Sequence, residues 1–105
     1  MSEWSGRFQY TDKNVNSYVP SKAGIYRIIY HSGDKYYVFY IGQSDNLKER
    51  LISHLNTSET NSCIKKHLKD YTCYFRYIEV SGQAERDKIE AEQIDEYSPS
   101  CNKTS

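Results

Sequence analysis

Hydrophobic and aromatic residues are concentrated in two short runs in the first half of the chain. Residues 24–30 and 36–41 are rich in β-branched and aromatic side chains, a composition typical of β-strands. The segment between them, residues 31–35, contains Gly33 and Asp34 and has the composition of a turn. This pattern predicts an antiparallel hairpin.

The register of the predicted hairpin decides which side chains meet. If the hairpin closes symmetrically about Gly33, Tyr26 pairs with Tyr40, and Gly24 lies opposite Gly42. Directly opposed residues in antiparallel strands point to the same face of the sheet. We therefore expect the two phenol rings to lie side by side, with open backbone at the glycine end of the hairpin.

A leucine stripe follows the hairpin and predicts a helix. Leu47, Leu51 and Leu55 recur every four residues, and Arg50 and His54 share another face of the same helix. Three polar residues are candidate N-caps: Ser44, Asp45 and Asn46. The last of these, with a glutamate three residues later, has the pattern of a capping box.

The second half of the chain contains three further patterned segments. Residues 61–69 predict a helix with Ile64 and Leu68 facing inward, and residues 71–80 alternate as a strand does. Residues 83–97 are good helix formers that end before a Ser-Pro pair. The apolar positions of this last helix form a thin stripe: Ala84, Ala91, Ile94 and Tyr97. The predicted order of elements is β-β-α-α-β-α.

Residues 1–20 are too apolar for a free tail and too irregular for a long element. They include Trp4, Phe8, Tyr10 and Val15, and they end at Pro20, which stops a local helix before the first strand. We expect this N-terminal extension to pack across the sheet or the helices. A chain of 105 residues fits a single domain 1–105, whose core we place at 23–102.

The formal net charge is zero, which provides no general attraction to nucleic acid. Residues 1–83 hold 11 basic and 8 acidic residues, a net charge of +3, whereas residues 84–105 hold 3 and 6, a net charge of −3. Any affinity for nucleic acid is therefore expected to be weak or to be supplied by a partner protein. No signal peptide or apolar spanning segment is apparent, so we expect a cytoplasmic protein that does not insert into a membrane.

The three cysteines do not suggest a disulfide framework. Their number is odd and their spacing is not paired, so we expect Cys63, Cys73 and Cys101 to be reduced. Cys63 and His67 lie four residues apart on a predicted helix, but a zinc site would need two more ligands.

The hairpin and the helix after it resemble the GIY-YIG nuclease family. The two tripeptides that give the family its name are intact as residues 24–26 and 40–42, and residues 44–51 resemble its first helix, with Arg50 at the family's arginine. The resemblance implies an α+β fold, with a small three-stranded antiparallel sheet flanked by three helices. It also implies a metal-dependent endonuclease that hydrolyses DNA phosphodiester bonds.

The end of the chain extends the resemblance. Glu90 lies nine residues before Pro99, and Asn102 follows that proline by three residues, a pattern similar to the same domain in the bacterial excision-repair nuclease subunit. There the glutamate holds a divalent cation. The resemblance therefore implies that Glu90 is the ligand of one Mg²⁺ or Mn²⁺ ion. Asp87, one helical turn earlier, is the alternative ligand if the register is shifted.

The resemblance also assigns roles to individual residues. The implied catalytic residues are Tyr26, Tyr40, Arg50, His54, Glu90 and Asn102. Residues expected to contact substrate are Gly42, Gln43, Lys65 and Lys66. The alternative interpretation of the two lysines is an ordinary solvated helix face. The general base is either Tyr26 or His54, since a phenol with a pKa of about 10 is rarely ionised at neutral pH.

Two features depart from the repair-type members of the family. Gln43 stands where those members often carry lysine, and no separate DNA-binding domain accompanies the predicted core. Homing-type members also lack the lysine. The neutral net charge and the missing targeting domain favour an alternative function: a catalytically weak or inactive module of the same fold that binds a nucleic-acid structure or a partner protein.

Overall fold

One antiparallel sheet and four α-helices make up the part of the chain that the computed structural model describes, residues 3–56 and 61–102. The strands are β1 (Phe8–Gln9), β2 (Gly24–Ser32), β3 (Lys35–Ser44) and β4 (Thr72–Glu79). The helices are α1 (Asp12–Tyr18), α2 (Leu47–Leu55), α3 (Ser62–Asp70) and α4 (Gln83–Tyr97). A short 3₁₀ helix, Ser100–Asn102, follows α4. The predicted α+β fold is confirmed.

Helices cover both faces of the sheet, whose strand order is β1-β4-β2-β3. Tyr26, Ile28 and Phe75 belong to the larger core cluster, which includes side chains of α1, α2 and α3. Ile25 and Ile41 belong to a smaller cluster on the other face, beneath α4. This division follows from the alternation of side chains along each strand. Among the described helices, none is both long and apolar enough to cross a membrane.

The register of the hairpin differs from the symmetric one predicted from Gly33. Gly33 and Asp34 form a two-residue turn, with Gly33 at a φ of 64°, so Ser32 pairs with Lys35 and Tyr30 with Tyr37. The left-handed backbone at Gly33 is a conformation that glycine adopts without steric cost. The tight turn therefore shifts the pairing by one residue from the predicted register.

A second shift near the middle of the hairpin keeps the two tyrosines on one face. The pairing changes between Ile28 and Ile29, and Phe39 is left without a partner, as in a β-bulge. Beyond this point Ile28 pairs with Tyr40, and Tyr26 pairs with Gly42. The predicted direct pairing of Tyr26 with Tyr40 is therefore wrong, but the two residues are diagonal neighbours on one face.

The N-terminal extension adds a strand and a helix that the sequence pattern did not predict. Strand β1 pairs with β4, and Val15 of α1 is fully buried. The Tyr10 hydroxyl donates a hydrogen bond to the Leu51 carbonyl at 2.5 Å. A two-residue strand and a seven-residue helix are too short to show a period in sequence. The boundary of a single domain at 1–105 stays a prediction.

Helix α4 has the predicted bounds, but its buried side differs from the predicted stripe. Ala84 and Ala91 are exposed, whereas Ile89 and Ile94 pack against the smaller core cluster. Arg86 is the buried residue of this helix, with 6 % of its surface exposed. Burial of this charged side chain is tolerated because its guanidinium is hydrogen-bonded, as described below.

The expectation of three reduced cysteines is wrong for two of them. Cys63 of α3 and Cys101 of the 3₁₀ helix form a disulfide across a sequence separation of 38 residues. Cys73 is a buried free thiol. Sequence spacing could not reveal the pair because the fold brings the C-terminal segment back against α3.

Candidate active site

A buried tyrosine–histidine pair lies between the sheet and helix α2. The Tyr26 hydroxyl and His54 Nε2 are 2.7 Å apart, and Tyr26 and His54 are 0 % and 1 % exposed. Strand β2 supplies the tyrosine, and the last turn of α2 supplies the histidine. The helix begins at Asn46, whose side chain accepts a hydrogen bond from the Glu49 N–H at 3.1 Å, so Asn46 is the cap among the three candidates.

Tyr40 lies beside this pair and is partly exposed. Its ring centroid is 6.1 Å from that of Tyr26 and 5.4 Å from that of His54. Unlike Tyr26, whose hydroxyl is bonded to His54, Tyr40 makes no hydrogen bond through its hydroxyl to another residue in the described ranges. Tyr40 is therefore the phenol of this cluster that solvent or a substrate can reach.

The lack of a side chain at Gly42 leaves room for the Tyr26 ring. A Cβ at this position would lie 2.5 Å from Cζ of Tyr26 and even closer to its hydroxyl oxygen. The two residues are direct cross-strand partners, so the tyrosine ring lies over the glycine backbone. The glycine of the second tripeptide is therefore required for close packing.

Arg50 and the lysines of α3 lie on the outer side of the helical layer. Arg50 is exposed and lies one helical turn before His54, as its spacing predicted. Lys65 and Lys66 are exposed on α3. A groove of about 540 Å³ has both lysines and His54 among its lining residues. The structure thus gathers positive charge near one end of the tyrosine–histidine cluster.

Gln43 connects strand β3 to two carboxylates of helix α4. Its side-chain nitrogen donates hydrogen bonds to Asp87 Oδ1 at 2.8 Å and to Glu90 Oε1 at 2.9 Å. Its side-chain oxygen accepts a hydrogen bond from Gln83 at 2.8 Å. Both carboxylates that sequence reasoning proposed as metal ligands therefore converge on one amide group.

The sequence did not indicate a role for Arg86, which is hydrogen-bonded to both glutamines of this network, Gln43 and Gln83. Its Nη1 donates to the carbonyl oxygens of Val80 and Ser81, at 3.0 and 2.9 Å. Its Nε donates to the Gln43 side-chain oxygen at 3.4 Å, and its Nη2 to Gln83 at 2.7 Å. The sequence offers no periodic signal for such a residue, because a buried arginine looks like any other charged helix position.

The hydrogen bonds of the network favour the ionised form of Asp87. The hydrogen bonds from Gln43 and Gln83 lower the pKa of Asp87 below its usual value, with a smaller contribution from the charge of Arg86. Carboxylate oxygens are the ligands that Mg²⁺ and Mn²⁺ prefer, and one or two of them suffice for magnesium. Glu90 and Asp87 are thus a donor set that fits a hard divalent cation.

Asn102 lies on the backbone of the second tripeptide. Its side-chain oxygen accepts a hydrogen bond from the Ile41 N–H at 2.8 Å, and its side-chain nitrogen donates to the Ile41 carbonyl at 2.7 Å. Strand β3 is an edge strand, so these backbone groups have no strand partner on that side. The asparagine is therefore attached to the strand that carries Tyr40, Gly42 and Gln43.

The predicted site residues form two groups joined through β3. Tyr26, Tyr40, Gly42 and His54 lie on the face covered by α2, whereas Gln43, Asp87 and Glu90 lie on the side of α4. Gly42 and Gln43 are consecutive residues on opposite faces of the edge strand. The two groups are therefore attached to adjacent residues of the edge strand.

Comparison with known proteins identifies the family. The family model for the UvrC-like GIY-YIG domain matches residues 22–103. UvrABC system protein C of Bdellovibrio bacteriovorus is 29 % identical over 98 residues, which cover 93 % of this chain and 15 % of that protein. The protein of the same name from Rickettsia rickettsii is 26 % identical over 83 residues, covering 79 % of this chain and 12 % of the relative. The chain thus spans less than a sixth of the length of these curated relatives.

Solved structures share the fold. The GIY-YIG N-terminal endonuclease domain of UvrC from Thermotoga maritima, bound to magnesium as its catalytic divalent cation, superposes with a TM-score of 0.65 at 23 % identity. The match covers 87 % of this chain and 98 % of that one. An asparagine-to-alanine point mutant of the same domain superposes with a TM-score of 0.60 at 22 % identity, over 85 % and 94 % of the two chains.

Proposed function

This chain belongs to the UvrC-like GIY-YIG domain family, and on that premise we propose that it is a metal-dependent DNA endonuclease. The observation that carries the proposal is the convergence of Glu90 and Asp87 on Gln43, three residues after Tyr40 in the same edge strand. Hydrolysis of a phosphodiester bond needs an activated water and neutralisation of charge on phosphate oxygens. We assign the first task to the tyrosine–histidine cluster and the second to a cation held by the carboxylates of α4.

We assign the general base to Tyr40. The sequence left Tyr26 and His54 as alternatives, but both are buried, and an attacking water must touch the base. Forming a phenolate at pH 7 from a phenol with a pKa of about 10 costs about 4 kcal/mol, so a nearby positive charge is needed. Tyr26 and His54 would act indirectly, by packing against the Tyr40 ring and orienting it.

Glu90, with Asp87 beside it, would hold the divalent cation. The related domain from Thermotoga maritima binds magnesium, and a carboxylate pair suits magnesium or manganese. When bound, the cation supplies charge neutralisation for the phosphate and the leaving oxygen. Gln43 positions the two carboxylates from the strand side, in place of the lysine that repair-type relatives often carry.

The DNA backbone is expected to approach from the side of α2 and α3. Arg50 has the planar fork that suits phosphate, and Lys65 and Lys66 add positive charge near the groove beside His54. Helix α4 carries Glu85, Glu92 and other acidic residues and would repel DNA over most of its exposed surface. With a net charge of zero, binding is expected to be weak without a targeting partner protein.

A plasmid-nicking assay tests the proposal. The protein is incubated with supercoiled plasmid and Mg²⁺ or Mn²⁺, and chelator is added in a parallel reaction. Glu90→Gln should lower nicking by about 100-fold or more, because the amide removes the ligand charge. Glu92→Gln, an exposed change on a different face of α4, is the matched control and should nick normally. Equal loss in both variants would contradict the metal-ligand assignment.

The second candidate function is an inactive binding module. The observation that favours it is Gln43, whose neutral amide already occupies both carboxylates. In that case wild-type protein would fail to nick with either cation, while a gel-shift titration would still detect binding to a structured DNA or a partner.

A further inference from the structure

Cys63, His67 and Cys101 form a cluster on the side of α3 that the proposed nuclease chemistry does not use. Their potential ligand atoms all lie within 4.8 Å of one another. His67 Nδ1 is 3.9 Å from the Cys63 sulfur and 3.6 Å from the Cys101 sulfur. Within residues 3–56 and 61–102, this is the one group of three such side chains close enough to hold a metal ion.

We propose that, once its disulfide is reduced, this cluster is a binding site for one Zn²⁺ ion. In a tetrahedral zinc site, with Zn–S of about 2.3 Å and Zn–N of about 2.0–2.1 Å, a sulfur and a nitrogen lie about 3.6 Å apart. Both sulfur–nitrogen distances are already close to that value. The site is separate from the carboxylates of α4 and from the Mg²⁺ or Mn²⁺ that they would hold.

Zinc binding at this cluster requires two steps, reduction of the disulfide and loss of the two thiol protons. A dithiol reductant supplies two electrons and two protons, which convert the disulfide into two thiols, and the reductant is itself oxidised to a disulfide. Zn²⁺ then binds the two sulfurs as thiolates, and their two protons pass to solvent. His67 must carry its proton on Nε2, so its 2.8 Å hydrogen bond from Nδ1 to the Cys63 carbonyl is given up.

The surroundings hold the imidazole in place for this role. The His67 ring stacks on Phe39 at a centroid distance of 4.6 Å, and Tyr30 and Tyr71 pack at 5.2 and 5.7 Å. These aromatic contacts limit the cost of ordering the imidazole ligand. Cys63 and His67 are only partly buried, so water can take the fourth coordination position.

The site would join the C-terminal segment to the body of the domain. Cys101 precedes Asn102, which is bonded to the backbone of Ile41. The disulfide in the oxidised protein and the zinc ion in the reduced protein would therefore tie the same segment to α3. Zinc would keep the segment fixed in a reducing compartment, where the disulfide does not persist.

Cobalt binding is the decisive experiment, because thiolate–cobalt charge transfer reports sulfur ligands and no carboxylate site can produce it. The full chain is reduced with a dithiol, freed of reductant without oxygen and titrated with Co²⁺, then with Zn²⁺. We expect the charge-transfer band to saturate at one equivalent of Co²⁺ and one equivalent of Zn²⁺ to remove it. Cys63→Ser should abolish the charge-transfer band, and His67→Gln should lower the affinity at least about tenfold. Cys73→Ala and Glu90→Gln are the controls and should retain the band.

A second readout uses the wild-type protein alone, in case a variant does not fold. Bound Zn²⁺ should protect Cys63 and Cys101 from alkylation of the reduced protein, as measured by mass spectrometry. Burial raises the pKa of Cys73 to about 12, so this thiol should stay unmodified with or without zinc. Absence of a charge-transfer band together with full alkylation in the presence of zinc would overturn the proposal.

Discussion

At the scale of single residues, Tyr26 is fully buried whereas Tyr40 is partly exposed. We therefore expect substitution of Tyr40 to affect activity and substitution of Tyr26 to affect stability. Tyr40→Phe should lower nicking by about 100-fold or more while leaving the unfolding free energy nearly unchanged, since the residue is partly exposed. Tyr26→Phe should lose about 1 kcal/mol of stability, because its buried hydrogen bond to His54 is removed. Nicking rates and urea titrations of both variants make the comparison. A fully active Tyr40→Phe would return the base to Tyr26 or His54.

Gly42 offers a second test at this scale. Gly42→Ala places a methyl group in steric overlap with Tyr26, so the ring has to move. The free energy of unfolding should fall by about 1–3 kcal/mol. The displaced ring also loses its alignment with His54, so nicking should fall. Gly6→Ala is the matched control, because a Cβ there has no neighbour within 4 Å. Denaturant titrations measure the stability difference, and equal costs for the two variants would contradict this account of the glycine.

At the scale of elements, the attachment of the 3₁₀ helix to strand β3 controls where the site residues lie. Asn102→Ala removes both hydrogen bonds to Ile41 and should cost about 1–3 kcal/mol. Amide hydrogen exchange at Ile41 should become faster, while exchange in β2 changes little. Asn102→Asp is the informative companion, since it keeps the acceptor but not the donor. Unchanged exchange at Ile41 in Asn102→Ala would show that the attachment is unimportant.

The elements with a strong local signal could be predicted from the sequence, and the interactions between them could not. The run of good helix formers before the Ser-Pro pair predicts helix α4 at its observed bounds, although its predicted apolar stripe differs from its buried side. The alternation of residues 71–80 predicts strand β4. The hairpin register failed because a two-residue turn and the extra residue at Phe39 are local backbone choices. The Cys63–Cys101 disulfide and the role of Arg86 depend on tertiary contacts, which leave no pattern along the chain.

At the scale of the whole molecule, the N-terminal extension is part of the folded core. Tyr10, Val15 and Val19 are nearly or fully buried, and each contributes about 1.5–3 kcal/mol by burial. Because single domains are stable by only about 5–15 kcal/mol, deletion of residues 1–20 should leave the chain largely unfolded. Circular dichroism and urea titration measure this. Val15→Ala, which should cost about 1–3 kcal/mol, is the milder control. A cooperative transition at wild-type stability after the deletion would contradict the prediction.

The position of Asn102 has a consequence for how the molecule meets other copies of itself. An edge strand with bare N–H and C=O groups can accept a strand from another chain and so begin an aggregate. The Asn102 amide imitates a peptide group and occupies both backbone groups of Ile41. It therefore blocks strand pairing at Ile41, on a sheet edge that could otherwise pair with another chain. Loss of the C-terminal segment would expose at once the strand that carries the candidate site and a surface for self-association.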